Sequence, residues 1–147
     1  MSFKGKRLAK EYKDLVSNQV PGITCEATDS FDTLVIQVSV LDNPLYIDDS
    51  YRLRFIFSDK YPFSPPQVQF IDKIPIHPHI YSNGHICLNI LGNDWTPSQT
   101  VASISMSVQS MLASNNLDQR PPDDDNYVKH APENPQHSSF YYHDDTV

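Results

Sequence analysis

His77-Pro78-His79-Ile80-Tyr81-Ser82-Asn83-Gly84-His85-Ile86-Cys87, running on through Leu88-Asn89-Ile90-Leu91-Gly92-Asn93-Asp94 to Trp95-Thr96-Pro97, is the stretch on which the reading turns. It is punctuated by proline and glycine, dense in histidine and asparagine, and holds one of the two cysteines of the 147-residue chain. Punctuation of this density predicts an irregular segment. A cysteine flanked by imidazoles and amides on such a segment has the setting of a reactive thiol. An inert structural cysteine more often lies inside a regular apolar run. A thiolate is both a good nucleophile and a good leaving group, so it suits a carrier that accepts an acyl group and passes it on.

Upstream of this stretch the period is that of strands. Residues 23–28 make a short candidate, and Leu34, Ile36, Val38 and Val40 alternate with mostly polar partners. Asp42-Asn43-Pro44 breaks that run. Tyr51, Leu53, Phe55 and Phe57 alternate next, and Gln67–Ile71 is a fourth strand. Four consecutive strands with short breaks predict an antiparallel meander in an α+β fold, one face polar and the other covered by helices. Residues 3–17 read as the first helix, with Leu8, Tyr12, Leu15 and Val16 on its apolar side and Lys4, Lys6, Arg7, Lys10 and Lys13 elsewhere. Pro21-Gly22 closes that region.

Downstream, Thr96 has the chemistry of an N-cap, Pro97 suits the first helical position, and Gln99 can complete a capping box. Val101, Ile104, Val108, Met111 and Leu112 mark the core face of that central helix, and Asn115-Asn116 is a stop. The texture changes beyond residue 117. Residues 117–147 are acidic, proline-rich and without clear helical periodicity. The expectation is therefore a core over residues 1–116 and a shortened, irregular C-terminal segment of the same domain. Phe140-Tyr141-Tyr142 gives the end of that segment something to dock with.

The motifs together resemble a family. His-Pro-x, Tyr-x-x-Gly-x-Ile-Cys-Leu-x-Ile-Leu and Trp-x-Pro, preceded by Tyr61-Pro62-Phe63-x-x-Pro66, occur in the order found in ubiquitin-conjugating enzymes and cover roughly residues 5–115. Within that family the chain is most similar to the W-type subgroup, which ubiquitinates protein N-termini. His79 stands where most members have Asn, and Arg120-Pro-Pro-Asp and Tyr142-His-Asp-Asp-Thr146 belong to the same likeness. The resemblance implies that Cys87 takes ubiquitin as a thioester from the ubiquitin-activating enzyme and yields it to an amine. It implies that Phe63, Trp95, Pro97 and Ser98 hold RING- or U-box-type ubiquitin ligases, and that Lys6, Arg7 and Lys10 meet the activating enzyme. It makes His77 an organiser of the flap and His79 a donor to the oxyanion, or a structural stand-in for Asn. Asn83, His85 and Asn89 become neighbours of the active site, and Asp124, in the run Asp123-Asp124-Asp125, a carboxylate near the thioester. No bound cofactor is implied, since ATP is used by the activating enzyme. An ordinary lysine-directed enzyme is the alternative.

Composition bounds the rest. A net charge of −7 argues against a sequence-independent grip on nucleic acid. Cys25 and Cys87 do not make a disulfide framework, which points to the cytoplasm or nucleus. No apolar run is long enough for a membrane span or a secretory signal. His77, His79, His85 and Cys87 also compose a zinc donor set, but one thiolate on a short proline-locked loop suits a tetrahedral cage poorly. A catalytically silent binding module of the same fold would lack the cysteine that this chain keeps.

Overall fold

A computed structural model describes residues 2–28, 30 and 32–137. Four strands, β1 (Ile23–Cys25), β2 (Thr33–Ser39), β3 (Ser50–Ile56) and β4 (Gln67–Ile71), form one antiparallel sheet in the order β1-β2-β3-β4. Side-chain alternation decides the register. Leu34, Phe55 and Val68 make one cross-strand row, and Ile36, Leu53 and Phe70 the next, all on the buried face. A one-residue slip would turn each of these side chains to the polar face, where Gln37, Arg52, Arg54 and Gln69 pair.

The helix α2 (Val101–Ala113) lies against the buried face, with Val101, Ile104, Val108 and Leu112 fully covered. Burying each such side chain contributes roughly 1.5–3 kcal/mol relative to exposure. The N-cap of α2 is Thr100, whose side chain accepts from Ser103 N–H while the Ser103 hydroxyl accepts from Thr100 N–H. The cap thus falls one turn later than Thr96, and the box uses Ser103 instead of Gln99. Residues 96–99 form a separate turn, closed by Gln99 N–H on the Thr96 carbonyl at 3.0 Å. At the other end, the buried Asn43 amide donates to the carbonyls of Leu112 (2.9 Å), Ala113 (3.3 Å) and Asn115 (2.7 Å), satisfying groups that a helix C-terminus leaves open.

The first helix, α1 (Phe3–Ser17), packs against α2 and β1. Leu8 is its buried apolar residue, whereas Tyr12 and Val16 are exposed. Glu11, only 5 % exposed, takes the inward position instead. Its carboxylate accepts from Arg7 Nε (2.9 Å), from the Tyr61 hydroxyl (2.5 Å) and from Val101 N–H (2.7 Å). A charge at this depth is tolerable because each oxygen has a donor.

Between β4 and α2 the chain forms a flap that crosses back over the sheet edge. Phe70 N–H donates to the Gly84 carbonyl at 2.9 Å, and Gly84 adopts φ +92°. A Cβ there would sit 2.1 Å from the Phe70 carbonyl oxygen, so only glycine fits. After Asn116 the chain returns to this flap. A short helix, α3 (Asp124–His130), and a 3-10 turn at Pro135–His137 appear where the sequence shows no period. Phe140, Tyr141 and Tyr142 lie outside the described residues.

Candidate active site

Ile80 and Ile86 pair as an isolated antiparallel bridge in the flap, and both are buried. This delivers Cys87 to the flap's inner side, with the residue 2 % exposed. Its N–H donates to the His79 carbonyl at 2.9 Å. Burial pushes the Cys87 thiol up to about 12, and the Asp123 carboxylate pushes in the same direction. Both effects disfavour a negative charge on the sulfur. Cys25 is the other free cysteine, half-buried at the end of β1, and its thiol is raised by burial and by Glu26.

His77 organises the loop through both ring nitrogens. Nδ1 accepts from the His79 N–H at 2.9 Å, and Nε2 stands 3.1 Å from the Met111 carbonyl. A carbonyl cannot donate and an N–H cannot accept, so these partners place the imidazole proton on Nε2. The ring is buried, and burial is the main reason its pKa falls to about 4; the bond to Met111 opposes the shift and His79 adds to it. His79 is therefore pinned at both backbone ends, N–H on His77 and carbonyl on Cys87 N–H. Its ring lies 5.6 Å from that of His77. Asn83 closes the turn before the cysteine, its side chain accepting from His85 N–H at 3.1 Å. Asn89 opens the 3-10 turn after it, its carbonyl accepting from Gly92 and Asp94 N–H at 2.9 and 3.0 Å.

The C-terminal segment is tied across this flap. Arg120 donates to the carbonyls of Pro75 (2.7 Å), Ile80 (3.2 Å) and Ile74 (3.1 Å). The Tyr81 hydroxyl reaches both Asp123 oxygens at 3.1 and 3.2 Å, and Ser82 N–H donates to Asp124 at 2.8 Å. Tyr127 stacks on Tyr81 with ring centroids 3.8 Å apart, and its hydroxyl lies 2.7 Å from His85 Nδ1. His85 is itself buried, which lowers its pKa against the opposing effect of a bond to the Glu133 backbone. Of the acidic run, then, Asp123 acts on the thiol, while Asp124, the residue singled out from the sequence, holds the flap backbone. Tyr81 and Tyr127 were not expected from the sequence as site residues, and Asp123 was expected only as a member of the acidic run from which Asp124 was singled out. Tyr81 sits inside the cysteine motif, and its phenol was the signal available.

Comparison with known proteins decides the family. The ubiquitin-conjugating enzyme family model matches residues 7–141, most of the chain. The chain belongs to the ubiquitin-conjugating enzyme family. A Caenorhabditis elegans ubiquitin-conjugating enzyme E2 W is 41% identical over 146 residues, covering 97% of this chain and 96% of that protein. A Dictyostelium discoideum protein named "Probable ubiquitin-conjugating enzyme E2 W" is 44% identical over 143 residues, 97% of this chain and 96% of that one. The crystal structure of ubiquitin-conjugating enzyme UbcA1 from Agrocybe aegerita superposes with a TM-score of 0.88 at 42% identity, covering 92% of this chain and 99% of that chain. The α+β fold and the W-type likeness read from the motifs agree with these relatives.

As a ubiquitin-conjugating enzyme the chain is a ubiquitin transferase, and its partners in general are ubiquitin, an activating enzyme and ligases. Two loops stand together at the end of the sheet near α1. Trp95 Nε1 donates to the Pro62 carbonyl at 2.9 Å, which joins the Trp-x-Pro loop to the Tyr-Pro-Phe loop. Phe63 projects from this pair, 70 % exposed, with its ring stacked on Phe3 at 5.6 Å. Pro97 and Ser98 are exposed beside it, and the Ser98 hydroxyl lies 2.7 Å from that of Thr96. On α1, Lys6 and Lys10 face solvent. Arg7 differs: it is committed inward, to Glu11 and to the carbonyls of Pro97 (2.7 Å) and Gln99 (2.8 Å). Among the described residues no group of three or more His, Cys, Asp or Glu side chains could hold a metal ion.

Proposed function

We propose that this enzyme carries ubiquitin as a thioester on Cys87 and delivers it to the α-amino group of substrate N-termini. In the first step Cys87 sulfur attacks the thioester carbonyl on the activating enzyme. That enzyme's thiolate leaves, and the Cys87 proton passes to it. In the second step an amine attacks the Cys87 thioester, an amide forms, and sulfur departs and regains a proton from the amine. Neither step calls for a bound cofactor; ATP is spent at the activating enzyme. The cytoplasm and nucleus are the proposed compartments.

The observation that carries the reading is the environment of Cys87. Burial and Asp123 favour the protonated thiol, and by the same physics they make Cys87 a slow leaving group that holds its acyl cargo. The acceptor must then arrive as a competent nucleophile. An α-amino group has a pKa near ~7.8 and a lysine near ~10.4, so at about pH 7.2 their neutral fractions are roughly 0.2 and 0.0006. Asp123 and the Tyr81 hydroxyl offer an approaching ammonium a carboxylate and a hydrogen-bond acceptor. The oxyanion donor must be sought outside the backbone of Cys87, whose N–H is already bonded to His79. We assign that task to the His79 imidazole, whose backbone is held on both sides.

The test uses two matched peptides, one with a free N-terminus and no lysine, the other acetylated with a single lysine. Discharge of the Cys87 thioester is followed by mass spectrometry of the products. Faster transfer to the free N-terminus near neutral pH is expected. Equal rates, or a faster lysine product, would return the chain to the lysine-directed branch. The same assay on His79→Asn separates the contribution of that residue from that of the C-terminal segment.

A further inference from the structure

The segment from Arg120 to Gln136 is fastened at three places, and the third is far from the thiol in sequence and in role. Beyond α3 the chain reaches the 3-10 turn at Pro135–His137, which packs against β4, with Pro135 buried. There the Gln136 side-chain amide donates to the Pro66 carbonyl at 2.8 Å and also to the Pro65 carbonyl. Those carbonyls belong to the loop that presents Phe63. The middle fastening is Tyr127, on Tyr81 and His85. Arg120 holds the near end on the flap. Asp123, bonded to the Tyr81 hydroxyl of the flap that carries Cys87, lies between Arg120 and Tyr127.

We propose that Tyr127 and Gln136 are positioning residues for the transfer step: they hold Asp123 on the Tyr81 hydroxyl of the flap that carries Cys87, from two anchors, the flap and the Pro65–Pro66 end of the Phe63 loop, so that a ligase docking on Phe63 acts on the thioester through this strap. The physical basis is that Gln136 grips the main chain of a loop whose tip is the exposed aromatic. A partner that shifts this loop changes the grip, and α3 ends only six residues before Gln136 along the chain. Energetic coupling of this kind requires an element with contacts to both sites, and the strap has them. The proposal rests on the reading of Cys87 as the acceptor of ubiquitin and of Phe63 as the ligase contact.

The experiment has two arms, so that a failure of that reading is distinguishable from a failure of the strap. The first needs neither ubiquitin nor ligase. The rate at which iodoacetamide alkylates Cys87 is measured by peptide mass spectrometry across pH in the full chain. Gln136→Ala and Tyr127→Phe are each expected to speed alkylation by ~3-fold or more, the effect of lowering a thiol pKa by half a unit. Tyr127→Phe keeps the ring stack and removes one oxygen, so it stays informative if Gln136→Ala folds poorly. The second arm measures ligase-stimulated discharge of the thioester as a function of ligase concentration. Gln136→Ala is expected to reduce the saturating stimulation by ~5-fold or more, the lower end of ordinary coupling, with the ligase concentration for half effect unchanged. Gln136→Arg, which supplies other N–H donors to the two carbonyls, should restore much of it. Alkylation rates equal to wild type in both variants would overturn the strap. So would undiminished saturating stimulation in Gln136→Ala, or a loss that Gln136→Arg does not rescue.

Discussion

Cys87, the proposed carrier of ubiquitin, is restrained by its surroundings. The restraint comes from burial first and Asp123 second, and the two can be separated by substitution. Asp123→Asn removes the charge and keeps the shape. A like charge that acts on a neighbouring acid raises it by ~1 unit or more, so the variant thiol should alkylate roughly tenfold faster between about pH 7 and 9. Rates equal to wild type would leave burial as the sole cause. His77 supplies a second residue-scale expectation. Its folded pKa of about 4 lies below the ordinary histidine value of 6.5, so the folded state prefers the neutral ring. The stability this contributes is therefore complete above pH ~6.5 and is lost as pH falls through ~4, to the extent of roughly 3 kcal/mol for such a shift. Chemical unfolding of wild type and His77→Asn across that window should show a steeper acid loss in wild type; parallel curves would contradict it. Residue identity also explains what the sequence could and could not show at the site. The cysteine, His77 and His79 were legible because they stand in one contiguous motif. Asp123 was not separable from Asp124 and Asp125, because only the fold decides which of three adjacent carboxylates meets the Tyr81 hydroxyl.

At the scale of elements, the three long strands and the first helix were legible because their side chains repeat with the period of their surroundings. The start of α2 was misplaced for a tertiary reason. Thr96-Pro97-Ser98-Gln99 has good capping chemistry, but Arg7 binds the Pro97 and Gln99 carbonyls and Glu11 takes the Val101 N–H, so the helix begins at Thr100. For the same reason α1 turns Glu11 inward and Tyr12 out. The seven residues of α3 span too few turns to display a period, and its stability comes from the Tyr81 and His85 contacts of Tyr127. Glu11 is the junction of α1, the Tyr61 loop and α2. Glu11→Ala would strand the Tyr61 hydroxyl, the Arg7 guanidinium and the Val101 N–H, and should cost ~3 kcal/mol or more. Urea unfolding measures this; a loss within ~0.5 kcal/mol, the range of ordinary surface substitutions, would show that the buried network is not structural.

Viewed as a whole molecule, the enzyme carries two kinds of surface on one frame. The sheet and α2 supply the frame. At one end α1, Phe63 and the Trp95–Ser98 loop form an exposed, partly aromatic shelf fixed by Arg7, Glu11 and the Trp95–Pro62 bond. In the flap Cys87 is buried, and the returning C-terminal segment is bonded to that flap. Two distinct surfaces suit a carrier that one partner approaches while its cargo is held at another. All of it depends on Cys87 being the residue that is loaded. The direct measurement is charging with ubiquitin, activating enzyme and ATP, read on reducing and non-reducing gels. The wild-type chain should give an adduct that thiol reductant removes, Cys87→Ser an adduct that resists it, and Cys87→Ala none, with Cys25 intact in each. An undiminished reductant-sensitive adduct on Cys87→Ala would contradict the account.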